Sequence, residues 1–284
     1  MTTECSEPRY LFQPLGRREV VARFDGGSIT SDGGALLLRE VEARTGIVAG
    51  FAACFRDLRD PLRIEHSVTE LVAQRVFGLA LGYEDLVDHD DLRRDPLLAV
   101  AVGRIDAERP LAGKSTLNRL ELTRGDATAA DRYQKVVIDQ AAVDRLLVAV
   151  FLQAHTTPPQ QIVLDLDATD DPLHGHQEGR FFHGYYDGYC YLPLYIFCGE
   201  HLLCARLRTS DIDGAAGSVD ELTRIVAQIR ARWPAVAITI RADSGFCRDE
   251  LMTWCEDHKV DFVLGIARNP RLEEQIQDAL ALAD

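Results

Sequence analysis

The stretch QIVLDLD (Gln161–Asp167) alternates apolar and polar residues, and the stretch AVAITIRAD (Ala235–Asp243) has the same character further along the chain. Alternation with a period of two residues is typical of a β-strand with one buried face. In the first stretch, this alternation puts Asp165 and Asp167 on one face and the aliphatic side chains on the other. Both stretches therefore predict strands that end in a carboxylate.

The residues around these two strands predict a defined order of further elements. They are strands at Tyr189–Phe197 (YCYLPLYIF) and Leu202–Arg208 (LLCARLR), a helix at Ser218–Arg232, a helix at Arg248–His258 and a strand at Asp261–Ala267 (DFVLGIA). The resulting order is strand, strand, strand, helix, strand, helix, strand, with the first three strands antiparallel. It matches the ribonuclease-H-like α/β fold, a mixed sheet with flanking helices in which carboxylates end the first and fourth strands. Asp167 and Asp243 occupy those two positions, so we expect them to lie together.

A mainly helical region precedes this core. Apolar residues recur at helical spacing in Ala35–Ala43, Val68–Ala80 and Ala141–Leu152. Before them, Val20–Phe24 predicts a short strand and the glycines of FDGGSITSDGG (Phe24–Gly34) a turn, with Ser31 or Asp32 as a helix cap. We therefore predict two domains, residues 1–156 and 157–284. The last segment, Pro270–Ala283, looks helical and ends without a cap, so the second domain is expected to be incomplete at its C-terminus.

Composition sets limits on the class of protein. The chain has 284 residues, of which 46% are hydrophobic, enough for a full-sized core. It shows neither a secretory leader nor an apolar stretch long enough to span a membrane, which indicates a soluble cytoplasmic protein. Its seven cysteines include no C-x-x-C pair, so we expect reduced, buried thiols. The net charge of -14 argues against a surface that binds nucleic acid over its whole extent.

Two alternatives compete for the aspartates. Four carboxylates fall within the seven residues from Asp165 to Asp171, and they could form only a solvated strand end before Pro172. Asp243 taken alone is more typical of a helix cap than of a metal ligand. Taken together, the two segments favour a cation site. Hard oxygen ligands with no nearby cysteine pair indicate Mg²⁺ or Mn²⁺, with two ions expected for an in-line displacement at phosphorus.

Three other motifs carry weaker signals. AGKSTLNR (Ala112–Arg119) lacks the glycine of a phosphate-binding loop, since Glu108 stands at that position, and it predicts a loop entering a helix with Lys114 and Arg119 available for a DNA backbone. The spacing of His174, His176 and His183 suits no standard metal motif. The aromatic segment FFHGYYDGYCY predicts a packing cluster, with a base-stacking surface as the alternative.

Longer segments resemble a known family. They are FDGGSITSDGGALLLRE near the start, RDPLRIEHS (Arg59–Ser67), LALGYEDLVDHDDLRRDP (Leu79–Pro96), LDLDATDDPLHGHQEG (Leu164–Gly179), YLPLYIF, ARLR, RADSGF and LGIARN (Leu264–Asn269). Together they resemble the DDE-type insertion-sequence transposases of the group numbered 1380, whose catalytic region is called the group 1 transposase DDE domain. In that pattern the D-A-T aspartate is Asp167 and the R-A-D-S-G-F aspartate is Asp243, which makes both catalytic metal ligands. Asp165 is a supporting candidate, and Arg241 and Arg268 flank the predicted site.

The resemblance implies a DNA transposase, a polynucleotidyl transferase that cleaves and joins strands at the terminal inverted repeats of an insertion sequence. It implies Mg²⁺ or Mn²⁺ as cofactor, double-stranded terminal-repeat and target DNA as partners, a homodimer on DNA and an association with the nucleoid, with the first domain binding the DNA ends. The family's third ligand, a glutamate, has no matching segment, although Glu273 and Glu274 could substitute for it. A related nuclease without strand transfer, and a truncated, inactive repressor that binds DNA or dimerises, are the alternatives.

Overall fold

The computed structural model describes residues 10–15, 17–22, 30, 32–106 and 109–283. The chain divides into two compact units, Met1–Gln140 and Ala141–Asp284. This division falls directly after the first residue of the helix Gln140–Gln153, whereas the sequence analysis set the boundary after residue 156. The difference has a physical cause, because Val148 and Phe151 of that helix are buried in the core of the second unit.

The first unit is mainly helical, as its apolar periodicity predicts. Its elements are β1 (Tyr10–Leu15), β2 (Arg18–Ala22), α1 (Ala35–Thr45), α2 (Ile47–Ala52), β3 (Phe55–Asp57), α3 (Val68–Ala80), α4 (His89–Leu92), α5 (Pro96–Ala101), α6 (Lys114–Glu121) and β4 (Val136–Ile138). Strands β1 and β2 pair antiparallel, as do β3 and β4. The predicted strand at 20–24 thus corresponds in part to β2, and residues 23 and 24 lie outside the described residues.

The start of α1 differs from its prediction. Its N-cap residue is Gly34, and no side chain caps the helix. Asp32 instead accepts a hydrogen bond from the Tyr83 hydroxyl at 2.9 Å. Ser31, the other predicted cap, and most of the predicted glycine turn lie outside the described residues.

Helix α3 forms the centre of the first core. Ser67 caps it by accepting a hydrogen bond from the Glu70 amide at 3.1 Å, which satisfies one of the free N–H groups of the first turn. Leu71 and Phe77 are almost fully buried on its inner face. Glu70 also pairs with His66 and Arg104; burial raises the pKa of its carboxyl, but these two hydrogen bonds outweigh burial and the pKa is lowered.

A buried polar contact crosses this core. Gln74 donates a hydrogen bond to the Ala112 carbonyl at 2.7 Å and accepts one from the Ala112 amide at 3.0 Å. The Gln74 amide nitrogen also lies 3.2 Å from Nδ1 of His89, which must therefore accept, so the neutral ring carries its proton on Nε2. Burial lowers the pKa of His89, whose side chain is fully enclosed. Protonation would turn an N–H toward the N–H of Gln74.

The second unit has the predicted α/β architecture. Its elements are α7 (Gln140–Gln153), β5 (Gln161–Ala168), β6 (Asp171–Pro172), β7 (Phe181–His183), β8 (Gly188–Tyr191), β9 (Leu194–Cys198), β10 (His201–Arg206), α8 (Ser218–Arg232), β11 (Ala237–Ala242), α9 (Asp249–Asp257), β12 (Asp261–Leu264) and α10 (Pro270–Ala283). The main sheet has the order β10-β9-β5-β11-β12. Strands β5, β11 and β12 are parallel, and β9 is antiparallel to β5 and β10. The ribonuclease-H-like prediction is confirmed.

One predicted strand is wrong in extent. The run Tyr189–Phe197 is two strands, because Leu192 and Pro193 interrupt it. Proline cannot donate a ladder hydrogen bond, which makes it a natural break inside a strand. The first half, β8, pairs with β6 and β7 in a separate three-stranded sheet, whereas the second half, β9, joins the main sheet.

The main sheet buries one of its faces. The side chains that form this core come from alternate positions of β5, β9 and β11 and from α7, α8 and α9; they include Ile162, Leu164, Leu166, Leu194, Ile196, Leu222, Ile225, Ile238, Ile240, Leu251 and Trp254. An ion-pair network adds to this packing: Arg206 on β10 contacts Asp144 of α7 at 2.8 Å and Glu221 of α8 at 2.5 Å. These contacts join two helices to the sheet and fix the frame that carries β5 and β11.

The expectations from composition can be compared with the described residues. Six of the seven cysteines lie within the described residues, and four of them are buried, as predicted; Cys5 lies outside the described residues. Burial raises the pKa of Cys204 to about 12 and that of Cys255 to about 11, so both thiols stay protonated at neutral pH. None of the described helices combines the length and the apolar character needed to span a bilayer.

The buried His89 predicts that the first unit loses stability in mild acid. Its pKa in the folded chain lies below the ordinary value of 6.5, so the stabilisation is complete above that value and is lost as the pH falls below it. We expect the free energy of opening of α3 to fall by up to about 1.4 kcal/mol per pH unit below pH 6.5. Hydrogen exchange of the α3 amides at pH 7.5 and 5.5 measures this loss.

Exchange is the suitable probe because both tryptophans, Trp233 and Trp254, lie in the second unit. The control is His89→Asn, whose side-chain oxygen can still accept from Gln74 but does not titrate. Its pH dependence between 7.5 and 5.5 should be much weaker than that of the wild type. Equal pH dependence in both proteins would contradict the assignment to His89. The lowered pKa values of Asp57 and Glu70 act only in stronger acid, below about 4.5.

Candidate active site

The two predicted site residues lie at the ends of neighbouring strands. Asp167 is the last residue but one of β5, and Asp243 directly follows β11. The two strands are parallel and in register from Ala237 opposite Gln161 to Ala242 opposite Leu166. Continued by one residue, this register puts Asp243 opposite Asp167, with the strands about 4.8 Å apart. The two strand ends that carry Asp167 and Asp243 are thus neighbours in the sheet, although the residues are far apart in the sequence.

Both carboxylates point away from the buried core. Leu166 and Ile240 are buried on the core face, and the alternation of the strands turns Asp167 and Asp243 to the other face. Both aspartates are exposed in the chain. Two like charges at the ends of adjacent strands repel each other, and a cation bound between them would relieve this repulsion.

Asp243 also caps a short helical turn, Ser244–Phe246. Its Oδ1 accepts a hydrogen bond from the Gly245 amide at 2.9 Å, and its backbone is extended. The other carboxylate oxygen has no hydrogen-bond partner among the described residues. The capping alternative and the ligand prediction for Asp243 are therefore compatible, because the cap fixes one oxygen and leaves the second available.

A glycine on β12's C-terminal side supports the Asp243 backbone. The Gly265 amide donates a hydrogen bond to the Ala242 carbonyl at 2.9 Å. A Cβ atom at residue 265 would lie 2.9 Å from the Ser244 nitrogen and 3.1 Å from the carbonyl carbon of Asp243. Such distances are too short for a side chain, so only glycine allows this close approach. The sequence motif LGIARN contains this glycine, but spacing alone did not reveal its contact.

Asp165 and Arg241 form an ion pair one step further into the same sheet face. They are register partners on β5 and β11, and the guanidinium contacts both carboxylate oxygens, at 2.5 and 2.9 Å. This contact raises the pKa of Arg241. Arg241, predicted to flank the site, is therefore engaged by Asp165. Arg268, the other flanking arginine, is exposed on the segment after β12.

A tyrosine that sequence reasoning missed lies near the carboxylates. Partial burial raises the pKa of Tyr186, and the negative charges of Asp170 and Asp167 raise it further. The phenol therefore keeps its proton at neutral pH and remains a hydrogen-bond donor. Tyr186 is in the turn between β7 and β8, whose small sheet begins four residues after Asp167. The only sequence signal for Tyr186 is its place in the aromatic segment FFHGYYDGYCY.

The histidines and the aromatic segment that follow Asp167 in the sequence differ in burial and in packing. His174 and His176 are exposed, whereas Nδ1 of His183 is buried and has no hydrogen-bond partner in the described structure. The aromatic segment is only partly packed, because Phe182 and Tyr189 contact each other edge to face while both remain about half exposed.

No group of three or more His, Cys, Asp or Glu side chains in the described part of the chain is placed to hold a metal ion. Glu273 and Glu274 are described and exposed, so neither completes such a group with the aspartate pair. Two carboxylates nevertheless suit Mg²⁺, which proteins usually bind through one or two carboxylates, with waters and substrate phosphates as the remaining ligands.

A comparison with protein families agrees with the resemblance seen in the sequence. The family model described as transposase DDE domain group 1 matches residues 12–284. A cryo-EM structure of the piggyBac transposase synaptic complex with hairpin DNA is 13% identical, with a TM-score of 0.40, and the match covers 86% of this chain. The Mos1 transposase paired-end complex with left transposon end is 12% identical, with a TM-score of 0.27, and the match covers 78% of this chain.

The chain spans about half of the piggyBac chain that it matches, 53%, and 75% of the Mos1 chain. Among curated proteins, none matches the sequence significantly.

The close approach of Gly265 predicts that Gly265→Ala shifts the Asp243 backbone and destabilises the second unit. We expect a loss of about 1–3 kcal/mol in the free energy of unfolding, the usual effect of forcing an atom into a packed site. Urea unfolding followed by tryptophan fluorescence measures it, since both tryptophans lie in this unit.

The matched control is Gly184→Ala, at a position in the same unit where a Cβ atom meets nothing within 4 Å. Its effect should stay within about 0.5 kcal/mol. An equal effect of the two substitutions would show that Gly265 does not constrain Asp243.

Proposed function

This chain belongs to the family of group 1 transposase DDE domains, and from that premise we propose that it cleaves DNA strands and joins them at the terminal inverted repeats of an insertion sequence. The reaction is a metal-dependent phosphoryl transfer, and Asp167 and Asp243 are its catalytic carboxylates. The observation that carries the proposal is the parallel register of β5 and β11, which aligns these two residues on one exposed face.

The chemistry of the ligands favours Mg²⁺ or Mn²⁺. Both candidate ligands offer hard carboxylate oxygens, and neither a cysteine nor a histidine shares their strand ends. Two bound ions would activate the attacking water or 3′-hydroxyl and stabilise the leaving oxygen of an in-line displacement. Positioning is then the main task of the protein, and rigid strand ends suit it.

The surrounding residues orient this carboxylate pair. The hydrogen bond from the Gly245 amide holds one oxygen of Asp243, so the second oxygen has a fixed direction. Arg241 neutralises Asp165, which limits the negative charge of this face to the aspartates at the strand ends. Tyr186 stays protonated and can donate a hydrogen bond to a phosphate oxygen beside Asp167.

Double-stranded DNA is the proposed partner, both as terminal repeats and as target. Inverted repeats are related by a two-fold axis, and a symmetric dimer presents one site to each repeat. We therefore propose a homodimer on DNA, with the first unit contributing to recognition of the ends. Action on chromosomal DNA would place the protein at the nucleoid.

The test is cleavage of a labelled duplex that carries the terminal repeats, in Mg²⁺ or Mn²⁺, by the wild type, Asp167→Asn and Asp243→Asn. Each substitution removes a charge at nearly constant shape, and we expect a loss on the order of a hundredfold or more in cleavage rate. Asparagine at 243 can still cap the turn, since its side-chain oxygen accepts from the Gly245 amide. The loss would then report on the charge and not on local unfolding.

Asp261→Asn is the control, because Asp261 is exposed at the opposite end of β12. It should cleave within about twofold of the wild type, as expected for a surface position away from the site. Normal cleavage by Asp167→Asn or Asp243→Asn would rule out these residues as the catalytic carboxylates. Wild-type protein that binds the repeats but never cuts them in either metal would favour the repressor alternative.

A further inference from the structure

An exposed tyrosine in the first unit carries two arginines. The guanidinium carbon of Arg119 lies 4.8 Å from the centre of the Tyr133 ring, and that of Arg132 lies 5.1 Å from it. Arg119 belongs to α6, whereas Arg132 and Tyr133 belong to the bend that leads into β4. The ring is 51% exposed. Two guanidinium groups, one from α6 and one from the bend before β4, therefore contact the same exposed aromatic ring.

These arginines lack the carboxylate partners that other cations of the unit have. Lys114 pairs with Asp90, Arg75 with Glu121 and Arg104 with Glu70. Neither Arg119 nor Arg132 makes an ion pair with any residue that the structure describes. Carboxylates are abundant in this chain, with 45 acidic and 31 basic residues, so this concentration of unpaired positive charge runs against its composition.

The same residues line a pocket whose charge is of one sign. Its lining includes Arg59, Arg119, Arg132 and Lys135 and, among the described residues, no aspartate or glutamate. The nearby Asp57 already pairs with Arg59 through both oxygens. Leu71, Leu120 and Val136 form the apolar part of the lining, which also includes Gln134. We call the group formed by Arg119, Arg132 and Tyr133 the arginine–tyrosine pocket.

We propose that the arginine–tyrosine pocket binds the phosphate backbone of duplex DNA. This inference rests on the proposed function and names a surface of the first unit for it. Guanidinium groups recognise phosphate through paired N–H donors, and a tyrosine hydroxyl is a further common phosphate donor. The ring holds both guanidinium groups in place through cation–π contacts, so less side-chain freedom is lost when phosphate binds. Contacts of this kind position a protein on DNA without reading sequence.

The structure changes the residues expected for this role. Sequence reasoning offered Lys114 and Arg119, the first and sixth residues of α6. The Lys114 ammonium lies 3.1 Å from the Asp90 carboxylate, which offsets its charge. Arg132 takes its place beside Arg119. It lies eighteen residues after Lys114, in a loop that the helix pattern does not predict.

The test measures binding of a fluorescent duplex by anisotropy over a range of KCl concentrations. Each phosphate contact contributes about 0.9 to the slope of log affinity against log salt. We expect Arg119→Gln and Arg132→Gln each to reduce the slope by about one and to weaken binding by roughly tenfold near 0.1 M salt. The double variant should lose about two in slope, and the loss should be the same for duplexes of unrelated sequence.

The matched control is Arg39→Gln with Arg44→Gln, which removes the same charge from exposed positions of α1 in the same unit. It should keep the wild-type slope and bind within about twofold of wild type. Arg119→Lys with Arg132→Lys keeps the charge and should restore most of the slope, although it loses the paired N–H geometry. Thermal unfolding by circular dichroism checks that all variants are folded, and the two single variants provide the test if the double variant is not.

The outcomes separate this proposal from the proposed function. If the wild type binds duplex DNA and the glutamine variants bind with the same affinity and slope, the pocket proposal is overturned and the transposase proposal stands. If the wild type shows no salt-dependent binding to duplex DNA, both proposals fail. A loss in the control equal to that in the glutamine pair would reduce the effect to net charge and overturn the assignment to this pocket.

Discussion

Strand β5 pairs in parallel with β11 at the centre of the main sheet, and this contact determines where the two aspartates lie. The chain must cross from β10 through α8 to reach β11, and the apolar face of both strands must meet the same helices. Side chains alternate strictly along a strand, so a shift of one residue in either strand would turn its aspartate into the core. Burial of Leu164 and Ile240 therefore fixes the register, and the register fixes the relation of Asp167 to Asp243.

Much of this unit could be predicted because its signals are local. Alternation identifies β5 and β11, and the amphipathic pattern of Ser218–Arg232 matches α8 at both ends. The boundary of the first region could not be predicted in the same way. Helix α7 has the same apolar spacing as the helices before it, and only tertiary packing of Val148 and Phe151 assigns it to the second core. Similarly, Pro193 marks a break in the strand run that ends at Phe197, but only the folded structure shows that the two halves join different sheets.

The candidate site shows the same division between local and distant information. The two aspartates could be selected from sequence because each ends a strand in a recognisable motif. The partners that surround them could not, because Asp165 and Arg241 are 76 residues apart and Gly265 approaches Asp243 only after β12 is in place. The ion pair of Lys114 with Asp90 is another example, since it removes one of the two cations that the helix pattern offered for DNA.

Net charge is a poor guide to the surfaces of this chain. Its excess of 14 negative charges is a sum over the whole chain, whereas single carboxylates such as those of Asp165, Glu70 and Glu221 are paired with arginines. The exposed charged side chains without such partners differ between the two units. The second unit exposes an aspartate pair that suits a divalent cation, and the first unit exposes an arginine pair that suits phosphate. Under the proposed function, the aspartate pair serves catalysis and the arginine pair serves positioning of the DNA.

The central claim is that Asp167 and Asp243 together bind one cation, and the most direct measurement is anomalous diffraction from crystals that contain Mn²⁺. The account predicts a peak within about 2.1 Å of an oxygen from each aspartate. A peak that contacts only one of them, or no peak at this strand edge at saturating Mn²⁺, would contradict it.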